Sequence, residues 1–189
     1  MMHSTPRTIC ALAAALAALV FAVEASAATS VRAPGILTED GADFVRLGQA
    51  TFRWKSVLKV YDIALHLGAG QDASRVLEDV PMRLELVYHR GFTAENIIKG
   101  GNELLRRNVD ASTLALLASR LAELNRVYVD VNPGDIYALT YVPGRGTTLR
   151  LNGKSLATIP GYDFAASYFR IWLGSEPMSA GLRDELLGR

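Results

Sequence analysis

Cysteine is almost absent from this chain. The single one, Cys10, sits in an apolar stretch near the N-terminus. The rest of the sequence can therefore form no disulfide and offers no thiolate for catalysis or metal ligation. Histidine is nearly as scarce. His66 and His89 fall on separate predicted strands with no ligand spacing between them, so no metal site is expected. A large charge of one sign is also missing: the formal net charge is +1, with Lys and Arg scattered along the chain. Nucleic-acid binding and strong electrostatic attraction of the whole protein to a membrane lose their usual drive.

Several catalytic signatures are absent too. There is no Gly-x-Ser-x-Gly elbow, no dinucleotide fingerprint and no P-loop. Pro143-Gly144-Arg145-Gly146 is glycine-rich but lacks a Lys-Ser/Thr ending and a following helix, so it reads as a hairpin turn. The carboxylates fall in caps and turns and give no acid/base pair. No cofactor is expected.

The N-terminus has a clear pattern. Arg7 precedes the Ala- and Leu-rich run Thr8 to Val23, and Ala25-Ser26-Ala27 supplies small residues at a cleavage spacing. Residues 1–27 read as a secretory signal peptide cut after Ala27. The run is short for a transmembrane anchor, so no stable membrane insertion is expected once it is removed. The mature chain, 28–189, suits one domain and a periplasmic or secreted location.

Elements follow from periodicity and punctuation. A first strand is expected over Val31 to Leu37, with Thr38 to Gly41 as a turn. Asp72 can cap a short helix to Glu78. Met82 to His89 alternates as a strand with one buried and one wetter face. Thr93 caps a helix whose stripe is Ile97, Ile98, Gly101, Leu104 and Leu105; Gly100-Gly101 inside it signals close packing or approach by a ligand. Asp110 or Ser112 caps a second amphipathic helix, with Leu114, Leu117, Leu121 and Leu124 inward. Strands follow at Ile136 to Val142, Thr147 to Leu151 and Ser155 to Ile159, the last two joined by Asn152-Gly153 in a type I′ turn. An aromatic helix, Gly161 to Leu173, and a short one, Ser179 to Leu187, close an α+β domain.

The organising stretch is Leu47 to Leu67, read as two strands with a tight reversal near Arg53 to Ser56. Apolar side chains on both parities of the second strand place it inside its sheet. Arg53 and Tyr61 lie an even number of positions apart and share a face if the pairing is regular; a bulge would separate them. On one face they form either a satisfied couple at the core edge or a polar clamp in an apolar pocket.

Phe52-Arg53-Trp54-Lys55-Ser56-Val57-Leu58-Lys59-Val60-Tyr61-Asp62-Ile63-Ala64-Leu65-His66-Leu67 resembles the Arg-x-hydrophobic-Lys-Val-Tyr element of chalcone isomerase-like proteins, closest to their bacterial exported branch. The ordered remainder agrees: Gly134-Asp135, the Pro143 to Thr147 hairpin, Asn152-Gly153 and the Ile171 to Pro177 helix end. The similarity spans Asp43 to Gly188. It implies an open-faced β-sandwich, a large antiparallel sheet with helices over one side and a cleft between. In plant chalcone isomerases an Arg stabilises substrate and developing enolate, while a Thr and a Tyr organise a water network; fatty-acid-binding members keep the Arg and a Tyr without isomerising. Arg53 matches the family Arg, Tyr61 occupies the Thr position, and the helical Tyr has no counterpart in Gly91 to Asn96. The resemblance thus implies a non-catalytic protein binding a fatty acid or similar amphiphile, with Arg53 and Tyr61 as ligand-binding residues and no catalytic residue assigned. The alternatives are an isomerase or intramolecular lyase acting on an unsaturated phenolic substrate, and an envelope protein with a filled cleft that binds a protein partner.

Overall fold

The computed structural model describes residues 35–55 and 57–189. The signal-peptide assignment and the start of the expected first strand lie outside them. The described chain builds one seven-stranded antiparallel sheet in sequential order, with helices laid over one face. This is the α+β, open-faced sandwich architecture expected from the sequence.

Strand β1 (Leu37–Glu39) turns through Asp40 and Gly41, both at positive φ, into β2 (Ala42–Trp54). The expected turn over Thr38 to Gly41 is therefore two residues, and Thr38 and Glu39 belong to the strand. Long strand β3 (Leu58–Gly68) runs between β2 and β4 (Met82–Tyr88). It is buried almost throughout, as its apolar residues on both parities require. Between β3 and β4, Asp72 caps only a single 3₁₀ turn, Ala73–Arg75, shorter than the expected helix.

All seven residues of β4 are buried, where one wetter face was expected. The reason is a polar network on the face away from the helices. Arg83 donates to Glu39 at 2.5 Å, to Thr140 at 2.7 Å and to Glu85 at 2.9 Å, and Arg150 joins it through Glu39 and Asp40. Charges that alternate along a strand can thus be buried when each finds a partner.

Helices α1 (Ala94–Asn108) and α2 (Ala111–Asn125) begin at Thr93 and Asp110, whose side chains accept from the Asn96 and Thr113 amides. Strands β5 (Ile136–Val142), β6 (Gly146–Leu151) and β7 (Lys154–Ile159) complete the sheet. Asn152 and Gly153, both at positive φ, make the expected tight hairpin. The expected aromatic helix is broken into α3 (Tyr162–Tyr168) and α4 (Arg170–Leu173). Final helix α5 (Ala180–Leu186), capped by Ser179, packs along β2. Gly48 makes that approach possible, since a Cβ there would collide with the Glu185 and Leu186 carbonyl oxygens.

The core lies between the sheet and the helices. Ile63, Leu65, Leu84 and Leu139 from the sheet meet Leu105, Phe164, Phe169 and Ile171 from the helices. Burying each such side chain contributes on the order of 1.5–3 kcal/mol.

Candidate ligand cavity between sheet and helices

Packing at one end of that core is incomplete. A cavity of about 160 Å³ remains between the sheet and α1, α3 and α4. Phe52, Tyr61, Tyr88, Tyr137 and Leu139 form its floor, and Ile97, Tyr168, Ile171 and Trp172 its roof. An apolar void of about this size accommodates one benzene-sized molecule.

Two consecutive glycines leave this space open. Gly100 and Gly101 sit in the interior of α1 and line the cavity. A Cβ on Gly100 would meet nothing within 4 Å, and one on Gly101 would make ordinary contact with the Tyr168 hydroxyl at 3.6 Å and Ile171 Cδ1 at 4.0 Å. Neither glycine is required by close packing or by positive φ. Each weakens the helix by about 1 kcal/mol relative to alanine. Of the two readings the sequence allowed for Gly100-Gly101, close packing is not what the geometry shows, since both glycines border open space.

The cavity lining contains no Lys, Arg, His, Asp or Glu. Its polar atoms are phenols, one indole and the Asn96 amide at the exposed margin. Most are already committed. Trp172 Nε1 donates to the Tyr61 hydroxyl at 3.3 Å, and that hydroxyl donates to Met178 Sδ. The Tyr128 and Tyr168 hydroxyls bond each other at 3.0 Å. Tyr137 donates to the Val129 carbonyl and accepts from its amide. The Tyr88 hydroxyl makes no hydrogen bond to any described residue, although Tyr88 is buried and its ring packs against Tyr61, Phe92 and Tyr137.

Burial pushes the phenols of Tyr61, Tyr88, Tyr128 and Tyr137 above their ordinary range. Tyr168 is pushed up to about 12 by the same cause, partly offset by its bond with Tyr128. Neighbouring phenols add to the effect at Tyr88, because each new phenolate would repel the others. At neutral pH the cavity is uncharged and holds no phenolate base.

The two residues expected to bind ligand are placed differently. Tyr61 lines the cavity. Arg53 does not: it is exposed, and lines a shallow outer groove between β2 and α5 together with Phe52, Ser179 and Glu185. The expectation that they share a face is corrected by a bulge. Phe52 pairs with Tyr61 and Arg53 with Lys59, leaving Val60 without a partner across the ladder. The face shared with Tyr61 belongs to Phe52.

Tyr88, Tyr128, Tyr137, Tyr168 and Trp172 were not read as site residues. Their separate segments show no common spacing. The glycine pair in α1 was the signal that pointed here.

On the opposite face of β3, Asp62 accepts from Thr51 at 2.7 Å and Lys59 at 3.2 Å and contacts His89 Nε2 at 2.8 Å. Burial opposes its ionisation, but these bonds outweigh burial and hold its carboxyl below the usual range. Among the described residues, no group of three or more His, Cys, Asp or Glu is placed to hold a metal.

A curled antiparallel sheet roofed by helices over a small, uncharged cavity is a distinctive architecture, and the comparisons with known proteins identify its family. The family model described as chalcone isomerase-like matches residues 25–188. The chain belongs to that family. Among solved structures it is similar to a fatty-acid binding protein of Arabidopsis thaliana, with a TM-score of 0.58 and 15% identity, covering 81% of this chain and 96% of that one. At that identity the likeness shows the fold. No curated protein matches the sequence.

Proposed function

We propose that this chain is an exported binding protein whose sheet–helix cavity takes the apolar part of a small amphiphile without transforming it. The observation that carries the reading is the glycine pair. Space in a protein interior is costly to keep, because close packing is the rule, and here it is maintained by two residues that also weaken their helix. Apolar walls supply affinity and the phenolic groups supply orientation.

Three further points support it. A relative of the same fold is described as a fatty-acid binding protein. The cavity lining offers no group that would act as a general base near neutral pH. Residues 1–27 have the pattern of an export signal. At about 160 Å³ the cavity holds one ring or a short length of chain, so the remainder of a longer amphiphile extends through the mouth toward solvent.

The test is native mass spectrometry of the protein purified from the cell envelope, beside Gly101→Leu. A small molecule retained at one per chain by the parent and absent from the variant supports the reading. Equal retention by both overturns it.

A further inference from the structure

The tip of the β2–β3 hairpin exposes apolar side chains that nothing in the described structure covers. Trp54 is 57% exposed, Val57 80% and Leu58 36%. Trp54 pairs with Leu58 across the ladder, so these two share one face. Arg53 pairs with Lys59 and falls on the other. Lys55 is exposed at the turn. The hairpin end is thus apolar on one side and basic on the other.

The basic side is unbalanced. Two cations directly opposite each other in a ladder are destabilising. Asp62 reaches Lys59 at 3.2 Å but is shared with Thr51 and His89. Arg53 has no ion pair within 4 Å among the described residues, and the nearest acid lining its groove is Glu185 of α5. An external anionic partner would relieve the repulsion.

We propose that this tip docks the protein on the surface of a lipid bilayer carrying anionic headgroups. Trp54, Val57 and Leu58 enter the boundary between headgroups and acyl chains, while Arg53, Lys55 and Lys59 meet the phosphates. Tryptophan favours that boundary because its ring is apolar and its N–H is polar. A protein partner fits less well. Three side chains on a narrow turn fall short of the roughly 800 Å² per partner of a specific protein interface, whereas a bilayer accepts a small convex apolar tip. Three side chains on a turn fall far short of the roughly 30 Å hydrocarbon core, so the contact made by the tip is peripheral. The same hairpin carries Phe52 and Val60 in the cavity wall, which brings the cavity to the membrane. Docking rests on the tip alone and holds whether or not the cavity is filled.

The experiment is sedimentation with vesicles of phosphatidylcholine containing phosphatidylglycerol, and of phosphatidylcholine alone, for the purified full chain and its variants. All variants share one N-terminus, so differences between them report the tip. The parent is expected to partition onto the anionic vesicles with a blue shift in emission from Trp54, since Trp172 is already buried. Partitioning should weaken with salt. The double substitution Trp54→Ser with Val57→Ser should weaken it at least tenfold, and Lys55→Gln about fivefold, with melting temperatures unchanged. Partitioning that is equal in parent and double variant overturns the proposal, as does no binding to anionic vesicles. A protein captured through the tip by a chain that ignores vesicles overturns the lipid assignment as well.

Discussion

Phe52 faces Tyr61 across the β2–β3 ladder, with ring centroids 5.2 Å apart, while the next residue, Arg53, faces Lys59. One extra residue, Val60, separates the two pairs. It decides which chemistry enters the cavity. An aromatic ring stands beside Tyr61 and the guanidinium stays outside, so the cavity presents apolar walls and phenols, not a cation, to the proposed ligand.

The Tyr88 hydroxyl is the cavity phenol with no hydrogen bond to a described residue. Tyr88→Phe therefore orphans no protein partner and should leave the melting temperature within a degree or two of the parent, or raise it. A ligand that accepts a hydrogen bond from Tyr88 should bind about two- to tenfold more weakly to the variant. Calorimetric titration and thermal unfolding read the two effects separately.

Gly100→Ala should stabilise the protein by up to about 1 kcal/mol, because it improves helix propensity and its methyl group meets no neighbour. Gly101→Leu should fill the cavity and abolish ligand binding without lowering stability. Urea unfolding with probe-displacement titrations checks both. A large loss of stability in Gly100→Ala would contradict the open space assigned there.

Gly48→Ala is the opposite case. Its Cβ would collide with the carbonyl oxygens of Glu185 and Leu186. Backbone cannot move aside as a side chain can, so a destabilisation of about 1–3 kcal/mol is expected, measured as a lower urea midpoint. Hydrogen exchange should show it concentrated in α5.

Stability should depend on pH at both ends. Asp62 has a folded pKa below its unfolded value, despite burial, through Thr51, His89 and Lys59. Its contribution is present above the unfolded carboxylate pKa of about 3.9 and is lost as pH falls through the folded value. Asp62→Asn should flatten that acid limb. The cavity tyrosines have raised folded pKa values, chiefly from burial. Their contribution is complete below the unfolded value of about 10 and is lost as pH rises further. Absorbance at 295 nm should therefore show these phenols ionising together with unfolding, not before it.

Much of the architecture was legible because each element carried its own punctuation. Thr93 caps the helix expected of it, Asp110 and not Ser112 caps the next, and Asn152-Gly153 makes its hairpin. What was missed depended on contacts between distant segments. Arg83 and Glu85 read as solvent-facing because their partners Glu39, Thr140 and Arg150 lie on other strands. The aromatic helix read as continuous, although it breaks at Phe169, which is fully buried. The placement of Arg53 turned on the bulge at Val60, and a bulge has no residue signature unless glycine marks it. The resemblance of the Phe52 to Leu67 segment to a known family identified the fold but not this local shift.

The most direct test of the cavity as a ligand site is a methyl NMR titration of the parent and Gly101→Leu with dodecanoate and with a one-ring phenol. Saturable shifts confined to the cavity methyls of Ile97, Leu139, Leu149, Ile171 and Met178, and lost in Gly101→Leu, are the expected result. Shifts that spare those methyls, or that are the same in both proteins, would contradict it.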